Sequence, residues 1–153
     1  MARIALKHLD DLAGKAKRWN GKNFNTEYTD ADVPISSLQI PKEAGGGPAS
    51  SPQAGFYCGS SVSWNEYLNC WVMLMAKATG PSWKGSSVYI SFNKNKDLGD
   101  GMNAQEWTQP QLLLEKPGFT LWYPSLQPMN TAEDFTDKRT CLRLGKKARL
   151  FVR

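Results

Sequence analysis

Seven consecutive residues, Cys70-Trp71-Val72-Met73-Leu74-Met75-Ala76, contain no charge and almost no polar surface. A run this short and this apolar predicts a β-strand buried on both faces. A buried helical turn is the competing reading, but Gly80-Pro81 follows closely and favours the strand. The neighbouring segments fit the same scheme. Ser60–Ser63 reads as a short strand, and Trp64–Asn69 as an Asn-rich turn bounded by aromatics. Ser87–Phe92 alternates strictly, with Val88, Ile90 and Phe92 on one face and Ser87, Tyr89 and Ser91 on the other. A polar loop, Asn93–Gln105, leads past Trp107 and Pro110 to a last strand, Gln111–Glu115. The expectation is a four-stranded meander.

The pattern begins again after Pro117-Gly118 with Leu121–Leu126. Thr140–Leu144 and Ala148–Val152 then read as strands joined by a short hairpin turn at Gly145-Lys146-Lys147. A meander recurring at a spacing of roughly 40–60 residues is the signature of propeller blades. The fold class expected is therefore all-β: a partial β-propeller of about two four-stranded antiparallel blades. Residues 1–22 would end a preceding blade, 57–116 would form one blade, and 120–153 an incomplete one. Two readings of residues 2–19 stay open. Ala5, Leu9, Leu12, Ala16 and Trp19 fall on one helical stripe, while Arg3–Leu6 also suits a strand end. Residues 20–57 are irregular, and 43–55 (EAGGGPASSPQAG from Glu43 to Gly55) reads as a flexible, low-complexity loop.

Composition narrows the function classes. Aromatics make up 11% of the 153 residues, too many for a disordered chain. No apolar run approaches the roughly 18–20 residues that span a bilayer, so no membrane partner is expected. The net charge of +5 is concentrated in residues 138–153, which hold seven Lys and Arg and no carboxylate. A solvated basic face explains this, with a nucleic-acid-associated module as the minor alternative. Only Phe151 interleaves with those cations, a thin signal for single-strand binding, so no nucleic-acid partner is expected. Cys58, Cys70 and Cys141 form no C-x-x-C, and His8 is the single histidine. Zinc-finger spacing, Cys–His catalysis and a Ser-His-Asp triad are poorly supported, and no metal or cofactor is expected. Buried free thiols and, by default, a cytoplasmic location follow from the lack of secretory signals.

Several segments together resemble a known family. Gly59–Asn69 followed by Trp71-Val72-Met73-Leu74 is similar to a blade of the five-bladed β-propeller glycoside hydrolases of the family 43 type, which share architecture with arabinanases, invertases and levansucrases. Ser87–Phe92, Trp107-Thr108-Gln109-Pro110, Trp122–Leu126 and Arg18-Trp19-Asn20-Gly21-Lys22 fit the same pattern. The resemblance covers about residues 2–24 and 57–126, with a weaker extension over 140–152. It rests on packing and turn motifs, not on catalytic ones. It implies a fragment of a protein that hydrolyses O-glycosidic bonds, with an oligosaccharide or glycoside as partner. A non-catalytic carbohydrate-binding or structural propeller fragment is the alternative. Open blade edges would favour self-association.

Glycoside hydrolysis normally uses two carboxyl groups flanking the scissile bond. By resemblance these lie on or near the innermost strands of different blades, here Ser60–Ser63 and Leu121–Leu126, and neither segment contains Asp or Glu. The nearest candidates are Glu66, a rim acid or a solvated turn residue, and Asp32, which lies with Glu27 and Asp30 in the irregular segment. Asp97, Asp100 and Glu106 read as solvated loop acids. Flat rings stack on sugar faces while polar neighbours bind hydroxyls. The expected substrate-binding set is therefore Ser63, Trp64, Asn65, Trp122 and Tyr123, with Ser61 as a further funnel residue. The competing role of these aromatics is packing between blades.

Overall fold

The computed structural model describes residues 2–3, 15–20, 24–27, 35–96, 98, 105–129 and 143–153. The protein is all-β over these residues, with two single-turn 3-10 helices, Ser36–Leu38 and Lys42–Ala44. The described residues hold ten strands: β1 (Ala2–Arg3), β2 (Lys17–Trp19), β3 (Phe24–Glu27), β4 (Gly55–Asn65), β5 (Cys70–Thr79), β6 (Lys84–Asn93), β7 (Gln111–Glu115), β8 (Ser125–Pro128), β9 (Arg143–Leu144) and β10 (Ala148–Phe151). They form three sheets. β1-β2-β3 make a small antiparallel sheet that buries Trp19 against Phe24, with ring centroids 5.2 Å apart. Arg3 ends a strand, as the alternative reading has it, while Trp19, a member of the expected helical stripe, lies on β2. The helical stripe's members between residues 4 and 14 lie outside the described residues.

The central sheet has the order β7-β6-β5-β4-β9. Strands β4 to β7 form the expected antiparallel meander, with Leu74 paired to Ser61 on one side and Ile90 on the other. β5 owes its central position to its composition: every residue from Val72 to Ala76 is buried. Side chains alternate across a strand. On one face Met73 and Met75 join buried Trp107, with Ile35, Leu38, Tyr57, Val62, Trp71 and Leu98 packed around them. On the other face lie Val72, Leu74, Ala76 and Ala78, with Val88 beside them on β6, all buried.

β4 is longer than the sequence pattern suggests, because a bulge divides it. Cys58 pairs with Ala76 and Ser61 with Leu74, so Gly59 and Ser60 oppose Met75 alone. Gly59 has φ +58°, and a Cβ there would also press on the Tyr123 ring at 3.3 Å, so glycine fits on both counts. The bulge reverses the alternation and leaves Cys58, Ser61, Ser63 and Asn65 on one face of β4, with Tyr57, Val62 and Trp64 on the other.

Of the expected hairpin between Thr140–Leu144 and Ala148–Val152, residues 140–142 lie outside the described residues, and the described strands do not pair with each other. β9 instead pairs in parallel with the end of β4, with Trp64 opposite Arg143 and Asn65 opposite Leu144. β10 pairs antiparallel with β8, from Ala148↔Pro128 to Phe151↔Ser125. The physical reason is visible at Leu144, which has no exposed surface, whereas Lys146 and Lys147 remain in solvent. The inner strand expected over Leu121–Leu126 also differs, since β8 begins only at Ser125. Tyr123 has φ +48°, and that left-handed residue just ahead of Pro124 interrupts extended structure. The Ser61 hydroxyl donates to the Pro124 carbonyl at 2.7 Å, which ties the β8 segment over the Leu74 face.

Leu74→Ala should destabilise the fold by about 2–5 kcal/mol, through lost burial plus a cavity closed in on both sides. Leu113→Ala, on the exposed β7, should change stability by no more than about 0.5 kcal/mol. Paired urea titrations measure both.

Candidate functional site

The residues singled out from the sequence divide between the two faces of β4. Trp64 lies half-buried on the Met73 face, edge-on to Trp71 with centroids 5.4 Å apart. Ser63 and Asn65 point to the opposite face. Asn65 is buried and doubly committed. Its Oδ1 accepts the Leu68 backbone N–H at 2.8 Å, closing the turn, and its Nδ2 donates to the Gly145 carbonyl at 3.2 Å. The Glu66 backbone N–H donates to the Leu144 carbonyl at 2.7 Å, while the residue itself is exposed at the turn. Asp32, Asp30, Asp97 and Asp100 lie outside the described residues; Glu27 is on β3 and Glu106 is exposed in the loop before Trp107.

Trp122 and Tyr123 sit on the Ser61 side of β4, as the Ser61–Pro124 and Gly59–Tyr123 contacts require. Both are exposed, Tyr123 at 61%, and their rings meet edge-on at 6.0 Å. The structure adds a third aromatic, Trp83, which is also exposed. The Trp122 indole N–H donates to the Trp83 carbonyl at 3.0 Å, and the Trp83 ring stands edge-on to Phe56 at 5.0 Å. Trp83 and Tyr123 share a further property: both are bulky residues at positive φ, +53° and +48°. Such conformations cost on the order of 1–3 kcal/mol and persist only where surroundings impose them. Here the Trp83 N–H bonds the Gly80 carbonyl in the β5–β6 turn, and Trp122 exchanges two backbone bonds with Arg153, each 2.8 Å. The sequence signal for Trp83 was its place in a Gly-Pro turn between two strong strands. An exposed aromatic at a hairpin tip has no core to fill.

Two clefts lie among the described residues, neither of them lined by Trp83, Trp122 or Tyr123. The larger, of about 710 Å³, is walled mainly by apolar groups, among them Ile35, Leu38, Ile40, Met73 and Met75, with Tyr57 and Cys58 also in its lining. Burial pushes the Cys58 thiol up from its ordinary value, and burial followed by the neighbouring Tyr89 raises Tyr57. The Cys70 thiol is likewise raised by burial, with Lys94 pulling the other way. The smaller cleft, of about 580 Å³, lies between the start of β6 and the 118–120 turn and is lined by Lys77, Thr79, Lys84, Ser86, Ser87 and Phe119 among others.

Among the described residues no cluster of three His, Cys, Asp or Glu side chains could hold a metal ion, and no helix is long and apolar enough to cross a membrane. No known protein family, curated protein or solved structure matches this chain.

The raised thiols and phenol set a pH dependence. Each group favours its protonated form more in the folded protein than in the unfolded chain. Their contribution is complete below the ordinary values of 9.0 for Cys and 10.0 for Tyr, and is lost as pH rises through the higher folded values. Urea midpoints measured across the alkaline range should therefore fall, beginning near pH 9, and Cys58→Ala should soften the first part of that decline.

Proposed function

We propose that this chain is a carbohydrate-binding all-β module that holds a saccharide on Trp83, Trp122 and Tyr123 and does not cleave it alone. The observation that carries the reading is the pairing of exposure with strain. Two solvent-facing aromatics are kept in left-handed backbone conformations and braced through Trp122, a cost with no return in core packing. Exposed flat rings set edge-on in a corner offer apolar faces on which sugar rings can stack. Binding is favoured over hydrolysis because β4 and β8 carry no Asp or Glu. Glu66 and Glu115 also lie far apart in the sheet, in the β4–β5 turn and at the end of the edge strand β7.

The blade reading belongs to the same proposal. It is supported by the four-stranded meander β4–β7 and by the resemblance of Gly59–Asn69 and Ser87–Phe92 to propeller glycoside hydrolases of the family 43 type. β7 pairs only with β6 among the described residues, and Leu112 and Leu113 are exposed on it. An unpaired edge of that kind supports self-association. Sedimentation velocity over a concentration series should show reversible association, and a monomer at every concentration would oppose it.

The central test is titration with neutral oligosaccharides, read by tryptophan fluorescence and calorimetry. Trp122→Ala should weaken binding at least tenfold. Tyr123→Gly should also weaken it while stabilising the fold by about 1 kcal/mol, because relief at φ +48° outweighs the loss of a largely exposed ring. No binding across a broad glycan panel would defeat the proposal, and turnover of aryl glycosides would replace it with a catalytic one.

A further inference from the structure

β10 and its flanks carry a regular alternation. From Lys147 to Arg153 the chain reads Lys-Ala-Arg-Leu-Phe-Val-Arg. Side chains alternate across a strand, so Lys147, Arg149, Phe151 and Arg153 share one face, and Ala148, Leu150 and Val152 the other. Backbone pairing continues past both ends of β10. The Met129 N–H donates to the Lys147 carbonyl at 3.3 Å, and Trp122 and Arg153 exchange two bonds of 2.8 Å. Every residue of the first face is exposed, Phe151 at 44%. On the second face Leu150 is half-buried opposite Leu126.

The pairing also brings aromatics to these cations. Gln127 stands opposite Arg149 and Ser125 opposite Phe151. Residues that exchange both backbone bonds stand directly opposite each other and share a face. Trp122 therefore joins the Arg153 side, where an unbroken register would place Tyr123. The left-handed Tyr123 takes up the extra residue, and its ring meets Trp122 edge-on. The ribbon thus presents Phe151 between Arg149 and Arg153, with Trp122 across from Arg153. No Asp or Glu occurs in 116–129 or in 143–153. Glu66 bonds the Leu144 carbonyl through its backbone N–H, at β9 and before the ribbon begins.

We propose that this face binds single-stranded nucleic acid, with phosphates on Lys147, Arg149 and Arg153 and bases stacked on Phe151 and Trp122. The expectation of no such partner rests on Phe151 as the only aromatic among the C-terminal cations. The β8–β10 pairing supplies Trp122 from a distant segment. A single strand bares the flat faces of its bases, which stack on aromatic rings while cations track the phosphates. A duplex hides those faces, and the described residues offer no α-helix to its major groove. The planar guanidinium of each Arg suits bidentate contact with a phosphate. The row Arg149, Phe151 and Arg153 is separate from the proposed sugar patch, and the two surfaces meet at Trp122.

The test uses the whole chain and fluorescence anisotropy with labelled probes. These are oligothymidylate and oligouridylate of about 12 nucleotides, within the usual range of such sites, an abasic oligodeoxynucleotide of the same length, and a heparin fragment of similar charge. At least one of the two base-bearing strands should bind ten times more tightly than the abasic one, and comparing them tells DNA from RNA. Log affinity should fall with log salt at a slope of about −2, as three phosphate contacts on a single strand require. Arg149→Gln should make that slope shallower by about 0.7. Phe151→Ala should weaken binding by at least about fivefold, through lost stacking, and leave the slope unchanged. Affinity for neutral oligosaccharides should be the same in both variants as in the parent chain. Both substitutions alter exposed side chains, and circular dichroism checks that the variants fold. Equal affinity for the abasic strand, or tighter binding of heparin, reduces the face to a general polyanion surface and overturns the inference. An unaffected Phe151→Ala variant, or no binding to either base-bearing strand at low salt, also overturns it, and neither result bears on carbohydrate binding.

Discussion

The double burial of β5 dictates most of what surrounds it. A strand with water on neither face must have both backbone edges paired and both faces covered, because unpaired peptide groups are costly away from solvent. β4 and β6 supply the edges. One face is closed by Ile35, Leu38, Leu98 and Trp107 from the flanking loops. On the other, Leu121, Pro124 and Leu144 are buried and the β8 segment is tied to Ser61. No described buried polar side chain is left without a hydrogen bond, so this enclosure closes without stranded groups. The segment that crosses from β7 to β8 must follow the start of β6, and its outward residues, Phe119, Trp122 and Tyr123, have nothing further to cover.

What the sequence revealed was local periodicity. Cys70–Ala76 as a doubly buried strand, Ser87–Phe92 as an alternating one and Gln111–Glu115 as the meander's last strand all follow from two-residue spacing and nearby turns. Three features were hidden for a common reason. The Gly59–Ser60 bulge shifts the alternation by one, so Gly55–Cys58 runs out of phase with Ser61–Asn65, and the sequence pattern marks only Ser60–Ser63 as a strand. Leu144 was read as half of a hairpin because Gly145-Lys146-Lys147 is a good turn, yet its partner is Asn65. Tyr123 was read as a strand residue because it sits in an aromatic run, yet its backbone is left-handed. Each outcome is decided by a contact distant in sequence, which pattern reasoning within a short window cannot see.

The proposed site was partly legible for the same reason. Trp122 and Tyr123 stood out as adjacent aromatics, and they share a surface. Trp64 stood out equally and lies on the opposite face of β4 from Ser63 and Asn65, since a strand turns neighbouring residues apart. Asn65 proved to be a fastening between the β4–β5 turn and Gly145. Trp83 joins the patch through a contact distant in sequence, the bond from the Trp122 indole to its carbonyl.

The parallel union of β4 and β9 has a consequence for how the molecule is made. The Asn65 side chain and the Gly145 carbonyl it binds are 80 residues apart. At ribosomal elongation speeds that interval lasts about 4–16 s. During that time the meander can be assembled while the Leu74 face and the free flank of β4 wait uncovered. A nascent chain in that state displays a sticky apolar surface beside an open strand. Its safe passage depends on chaperone occupancy or on how soon the distal segment emerges, a kinetic exposure that the finished fold conceals.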